Sequence, residues 1–396
     1  MIPAYVDALC KEIEFIGLSA AKSPQGERRS SDSETVVEAP LQTHTIFFGG
    51  GTPSLLSPLQ FVSIFKSIRA AFTLTDDAEI TIEANPGTVS YENLLELRKI
   101  GINRISFGVQ SANMEELHML ERTHDFFTVI EAVTSARKAG FDNLNLDLIY
   151  ALPEQTLQTW QTTVKRILDL YPEHISAYAL TLEHGTPFGR WSSKGILPIP
   201  DPDLAAEMYE WASKTLEAAG YMQYEISNWA KTNAERGMQN AESNPTFQCR
   251  HNLQYWRGLP YLAFGAGAHG YANGYRYSNA LRIKTYIERV IQYSSFNIQH
   301  FPLSPATVNQ HKQTLKDDLS EFMMTGLRLT QEGISENEFQ TRFGKSLREI
   351  YRNEVAELLQ LGLIESKTSE FSKNSEVLRL TKRGRLLGNQ VFMRFV

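Results

Sequence analysis

Cysteine is scarce in this chain: Cys10 and Cys249 are the only two in 396 residues. Two thiols so far apart in sequence do not form a disulfide scaffold and fit a reducing compartment. Long apolar runs are also missing. No stretch of about 18 apolar residues occurs, so no membrane span is expected. The first residues, MIPAYVDALCKEIEFIG, have neither a basic start nor a long apolar segment and do not read as a secretory signal. Basic excess is absent too. The net charge is −6, which removes any global electrostatic case for nucleic acid or an anionic membrane. A cytoplasmic protein is therefore expected. Hydrophobic content of 42% and charged content of 21% are those of a globular protein, and the length suggests two domains.

The pattern along the chain is that of an α/β protein. Val6, Leu9, Cys10, Ile13 and Ile16 recur at helical spacing within a first helix, Ala4–Leu18, which places Cys10 as a small core hydrophobe. The polar segment Ala20–Leu41 reads as an exposed loop. Strands then fit near Thr45–Phe48, Glu79–Glu83, Arg104–Val109, Asn143–Tyr150 and His174–Leu180. Helices fit between them at Pro58–Phe72, Tyr91–Ile100, Phe126–Ala139 and Leu157–Leu170. Such alternation implies βαβ units and a parallel sheet. Glycines and polar residues gather where these strands end: Gly49–Thr52, Glu83–Gly87, Gln110 and Asp147. Ligands bind on that side of barrels and open α/β sheets. The first helix has no strand before it, unlike the helices of a complete βα barrel. From about Asp317 the texture changes to short helices, Leu319–Leu327, Glu336–Phe343 and Arg348–Leu361, with a hairpin-like end, as in a winged-helix domain.

The most informative stretch is TIFFGGGTPSL at Thr45–Leu55, an apolar strand that ends in three glycines. Without Cβ atoms, that loop lets backbone N–H groups approach a ligand closely. GAGAHG at Gly265–Gly270 matches GxGxxG formally, but no apolar helical stripe follows it, so a dinucleotide site is not expected there. A tightly packed strand end or a ligand-lining backbone fits better. Asp147 lies inside the apolar strand LNLDLIY, where a carboxylate needs partners; pairing with Arg122 would satisfy both.

Taken together, GGGTPSLL, TIEANPG, GINRISFGVQS, LERTHD, LDLIYALPEQT and GAGAHGY resemble the radical S-adenosylmethionine (SAM) proteins of the oxygen-independent coproporphyrinogen III oxidase group. CRHNLQYW resembles the HNxxYW signature of that family's HemW branch, proposed there to bind haem. The resemblance implies a partial six-strand (β/α) TIM-like barrel, lacking its first strand here, with a small C-terminal helical or winged-helix domain. It divides the chain into a barrel with its haem-motif extension at 1–271, a linker or helical connection at 272–316, and the C-terminal domain at 317–396. It assigns SAM contacts to Gly50, Gly51, Thr52, Glu83, Gln110, Arg122 and Asp147, and haem ligation to His251, with Tyr255 and Trp256 placed to stack on the macrocycle.

The same family holds a [4Fe–4S] cluster on a CxxxCxxC loop after the first strand. That motif is absent, and two cysteines cannot supply three thiolates. No cluster is expected on this chain as written, and hence no reductive cleavage of SAM and no metal or catalytic residues of that kind. A chain missing its N-terminal segment is the expectation, with a naturally cluster-free relative as the alternative. The resemblance implies a HemW-like haem-binding protein or haem chaperone, whose partners are haem or another tetrapyrrole and haem-acceptor proteins. The alternatives are an oxygen-independent coproporphyrinogen III oxidase and a cluster-free tetrapyrrole-binding module.

Overall fold

The computed structural model describes residues 1–21, 27–29, 36–38, 40–183, 186–198, 201–232, 247–292, 301–368 and 376–396. Helix α1 (Ile2–Ala21) opens the chain, followed by strands β1 (Glu27–Arg29) and β2 (Val36–Glu38), which pair antiparallel as a small ribbon. The rest of the expected loop Ala20–Leu41 lies largely outside the described residues. Alternating strands and helices follow: β3 (Gln42–Phe48), α2 (Pro58–Ala71), β4 (Thr73–Ala84), α3 (Tyr91–Ile100), β5 (Arg104–Gln110), α4 (Met114–Met119), α5 (Phe126–Lys138), β6 (Leu144–Tyr150), α6 (Leu157–Leu168) and β7 (His174–Ala179). After α7 (Pro187–Ser193) and α8 (Pro202–Ala218) come β8 (Tyr221–Glu225) and β9 (Asn228–Lys231).

The helices begin and end where local chemistry dictates. Ser57 and Gln60 form a capping box on α2, with Pro58 at its first position. Gly101 closes α3 with a positive φ. The helix-facing side of these strands is apolar, whereas the opposite side carries Arg104, Ser106, Asn145 and Asp147. Ile105, Phe107 and Val109 of β5 are completely buried, each worth roughly 1.5–3 kcal/mol.

One seven-stranded sheet results, in the order β3-β4-β5-β6-β7-β9-β8. Its first five strands are parallel, as the sequence pattern requires, and β3 forms one edge. Strands β9 and β8 join antiparallel at the other edge, and the sequence reading missed them. The sheet is curled into a half-barrel. Its carboxyl ends therefore converge, and the site lies there.

Helix α9 (Arg250–Trp256) is followed by β10 (His269–Ala272), β11 (Tyr275–Asn279), α10 (Ile283–Gln292) and β12 (Thr307–Lys312). The stretch 272–316, expected as a linker or helical connection, thus holds α10 between two strands of a three-stranded antiparallel sheet. The GAGAHG segment before it, Gly265–Gly270, is structural. Gly265 has φ +97 and faces the Tyr5 hydroxyl so closely that a Cβ would lie 2.5 Å from it. The Gly265 N–H donates to Glu12 Oε2 at 2.8 Å. Glu12, 1% exposed, also accepts from Asn279, Tyr286 and Ser304, which fastens α1 to this sheet.

The C-terminal unit comprises α11 (Leu315–Gly326), β13 (Ile334–Ser335), α12 (Glu336–Phe343), α13 (Leu347–Ile350), α14 (Arg352–Gln360), β14 (Ile364–Thr368), β15 (Glu376–Leu380), α15 (Lys382–Leu386) and α16 (Gly388–Phe392). Helices packed on a β13-β15-β14 sheet enclose a core of Phe322, Met323, Phe339, Leu347, Leu358, Leu378 and Phe395. The expected helix Arg348–Leu361 breaks at Tyr351, whose ring packs edge-on against Phe395. No helix among the described residues is long and apolar enough to cross a membrane.

Candidate functional site

A cavity of about 380 Å³ opens at the carboxyl ends of the parallel strands. Gly50, Gly51, Thr52, Glu83, Gln110, Arg122 and Asp147, the seven residues assigned to a SAM site, all line it. The glycine loop after β3 faces open space: a Cβ on Gly50 or Gly51 would meet nothing within 4 Å. Gly50 donates its N–H to Glu83 Oε2 at 3.1 Å.

Glu83 ends β4 beside Asp147. Burial, reinforced by the Asp147 charge and opposed by the Gly50 N–H, raises its pKa from the usual 4.5 to about 7. Gln110 takes φ +67 at the end of β5, a left-handed conformation that non-glycine residues rarely adopt. Its amide folds back over Gly108, where a Cβ would lie 2.9 Å from Gln110 Nε2. Glycine at 108 is what makes room for this turn.

The expected Arg122–Asp147 pair is not formed. Arg122 Nη1 reaches Asn85 Oδ1 at 3.5 Å, a long contact, and its buried Nε–H has no partner. Asp147 instead accepts from Ser106 Oγ at 2.7 Å and Asn145 Nδ2 at 2.8 Å. The nearby guanidinium is that of Arg104, which lines the inner end of the cavity. Burial opposes its charge, but Cys249, Glu79, Tyr224 and Asp147 outweigh this and raise its pKa. Arg104, Asn85, Ser106, Asn145, Tyr178 and Asn252 are lining residues that the sequence reading did not assign. An arginine opening the apolar strand RISFGVQ was the available signal.

A buried polar chain runs from this cavity to α9. Asn145 Oδ1 lies 2.6 Å from His174 Nδ1, and His174 Nε2 lies 2.9 Å from the Tyr224 hydroxyl. Burial, with Arg104 nearby, holds His174 neutral well below the usual histidine range. Its Nδ1–H thus donates to Asn145 and its Nε2 accepts from Tyr224. The Tyr224 hydroxyl accepts in turn from the Cys249 N–H at 3.4 Å and Asn252 Nδ2 at 3.5 Å.

His251 is not among the cavity-lining residues. It stands behind Phe47, which is, with ring centroids 5.1 Å apart and nearly stacked. Its Nδ1 hydrogen-bonds Thr45 Oγ1 at 3.0 Å and its Nε2 the Tyr255 hydroxyl at 2.8 Å. Burial, with Arg104 and His44, lowers its pKa to about 4, so the ring is neutral. Trp256 points the other way, beneath the Arg328 guanidinium at 4.3 Å, toward the C-terminal unit. The Tyr255 ring meets His251 and Tyr261 edge-on. Cys249 and Asn252 of the same segment do reach the cavity.

Comparison with known proteins fits this geometry. Residues 33–167 match the Radical SAM superfamily and residues 313–387 the HemN C-terminal domain. The chain is 37% identical over 353 residues to the heme chaperone HemW of Bacillus subtilis, covering 89% of this chain and 85% of that one. It is 34% identical over 358 residues to the heme chaperone HemW of Haemophilus influenzae, covering 89% and 83%. This chain belongs to the HemW family of radical SAM proteins. Its fold is also that of coproporphyrinogen III oxidase (HemN) from Escherichia coli, with a TM-score of 0.73 at 23% identity over 99% of this chain and 82% of that one.

Radical SAM membership implies SAM and a [4Fe–4S] cluster, and the two fit differently here. The cavity has orphaned N–H donors on Arg104 and Arg122, acceptors on Glu83, Gln110 and Asp147, and a bare glycine loop, a donor set suited to an amino acid joined to a nucleoside. The cluster does not fit. Cys249 is 1% exposed, its Sγ donates to Glu79 Oε1 at 3.5 Å, and burial pushes the thiol up to about 12. Cys10 sits on α1 with its thiol likewise raised by burial. Among the described residues no group of three or more His, Cys, Asp or Glu is arranged to hold a metal ion.

Proposed function

We propose that this chain is a haem-handling protein of the HemW type, which binds haem at the α9 segment and a SAM-type ligand in the half-barrel cavity, and passes haem to acceptor proteins. The observation that carries the reading is the joining of the two regions: Cys249 and Asn252 from the CRHNLQYW segment form part of the wall that the SAM-assigned residues complete. Bound SAM supplies a sulfonium-linked nucleoside. Gly50, Gly51 and Thr52 would hold its amino-acid end through backbone groups, Arg122 its carboxylate, and Glu83, Gln110 and Asp147 its hydroxyl and ammonium donors.

Haem is the cargo. Imidazole is a normal axial ligand for haem iron. The neutral state of His251 keeps a lone pair available, and Nε2 becomes free once it leaves the Tyr255 hydroxyl. Thr45 Oγ1 on Nδ1 would then fix the ring, as second partners of ligating histidines do.

Hemin titration followed at the Soret band tests this. A saturable shift is expected, weakened by roughly tenfold or more in His251→Ala, since losing an iron ligand removes a directed bond. An unchanged titration in that variant would remove His251 from the haem site.

A further inference from the structure

One cavity-lining residue has no role in these SAM or haem contacts. Arg104, 2% exposed, enters from the amino end of β5, whereas Arg122 follows its carboxyl end. Among the described residues the Arg104 guanidinium makes no hydrogen bond or ion pair, and its Nε–H is buried without a partner.

The groups that surround it are committed elsewhere. Glu79 accepts the N–H of Arg250 and of His251, each at 3.1 Å, at the start of α9. Asp147 is held by Ser106 and Asn145, and the Tyr224 hydroxyl by His174. A desolvated guanidinium with several free donors is costly unless something accepts from it. Its planar fork matches a carboxylate with two parallel hydrogen bonds. Glu83 and Asp147 in the same cavity disfavour a doubly charged anion and favour one singly charged group.

We propose that the inner end of the cavity is a carboxylate subsite in which the Arg104 guanidinium holds a carboxylate of the bound ligand. The proposal rests on the cavity's being a ligand site. Two ligands of the proposed function offer that chemistry: a propionate of a tetrapyrrole, with the SAM carboxylate on Arg122, and the amino-acid carboxylate of SAM, which would then lie on Arg104 in place of Arg122.

Two ligand pairs on the full chain distinguish the sources. Hemin and its dimethyl ester, followed at the Soret band, differ in free propionates. SAM and decarboxylated SAM, followed by equilibrium dialysis, differ in the amino-acid carboxylate. In the wild type, the acid of one pair should bind about tenfold or more tighter than its partner without the free carboxylate, the scale of a charge-assisted bidentate contact. Arg104→Gln should abolish that preference by weakening the acid alone, and Arg104→Lys, which keeps the charge but not the fork, should restore part of it. The pair whose preference collapses names the source.

Equal weakening of both members in each pair in Arg104→Gln marks a purely structural arginine and overturns the subsite, as does a preference unchanged in both pairs. If Arg104→Gln does not fold, a full wild-type preference in Arg104→Lys overturns it and a reduced one supports it. If hemin and its ester fail to bind while the SAM preference collapses, the haem reading fails and the subsite stands. If the wild type prefers neither acid, the subsite is overturned whatever becomes of haem binding.

Discussion

Replacing Glu83 by glutamine should stabilise the protein in mildly alkaline solution and leave it nearly unchanged in mild acid. The carboxyl titrates near 4.5 when unfolded and about 7 when folded, because burial and Asp147 disfavour its charge. Between those values the folded chain keeps a proton that the unfolded chain has released. Stability therefore falls as the pH rises through this window and levels off above 7. The full span corresponds to about 3 kcal/mol, and residual solvent access at the cavity mouth reduces it to roughly 1–2 kcal/mol. Glutamine retains a carbonyl to accept from Gly50 N–H and carries no charge. Urea unfolding followed by tryptophan fluorescence, with Trp160 and Trp229 fully buried, reads the difference directly. The variant should match the wild type near pH 5 and exceed it by roughly 1–2 kcal/mol near pH 8. A difference independent of pH, or a variant less stable near pH 8, would refute the assignment of a raised pKa to Glu83.

Other consequences follow from single contacts. Glu12→Ala strands three buried donors, from Gly265, Asn279 and Tyr286, and the half-buried Ser304 hydroxyl, and should cost about 3–5 kcal/mol in urea unfolding. A loss under about 1 kcal/mol would show that α1 is not fastened this way. Native protein should resist alkylation of Cys249 by iodoacetamide near pH 8, with full reaction in denaturant, because the thiol is buried and pushed up to about 12. Tyr255→Phe removes a hydrogen bond that competes for His251 Nε2 and should tighten hemin binding by up to several-fold, given about 1 kcal/mol for such a bond. A fall to the level of His251→Ala would make Tyr255 part of the haem contact instead.

The parallel half of the sheet was legible because its helix-covered side is apolar. Its strands carry apolar residues at the core-facing positions, its helices carry caps such as Ser57 and Gly101, and the observed boundaries differ from the expected ones by a residue or two at most ends. The convergence of Gly50, Glu83, Gln110 and Asp147 followed from the same logic, since parallel strands place all their carboxyl ends on one side. The β8–β9 hairpin escaped because its segment, YEISNWA, buries polar groups. Glu225 is satisfied by Arg328 and Asn228, and Tyr224 by His174, so no alternation of apolar and polar residues marks the strands. The break at Tyr351 escaped for the opposite reason: the apolar periodicity continues unbroken through Tyr351, whose ring packs edge-on against Phe339 and Phe395.

The inner half of the site was hidden by a different ambiguity. An arginine at the first position of a strand reads as a solvent-facing end, and in a flat sheet it would be one. Curling the sheet turns that position inward, and a long side chain then runs along the barrel interior to the cavity that the opposite strand ends open. The α9 segment shows the same dependence on neighbours. Seven residues do not hold a helix in water alone. Glu79 accepts from its first two N–H groups, Gln254 bonds His44, and Arg257 pairs with Glu332 of the C-terminal unit. Its orientation, with His251 toward β3 and Trp256 toward Arg328, is thus set by three separate parts of the chain. A motif gives the residue types that chemistry requires, but which of them face one ligand is decided by contacts that no local spacing encodes.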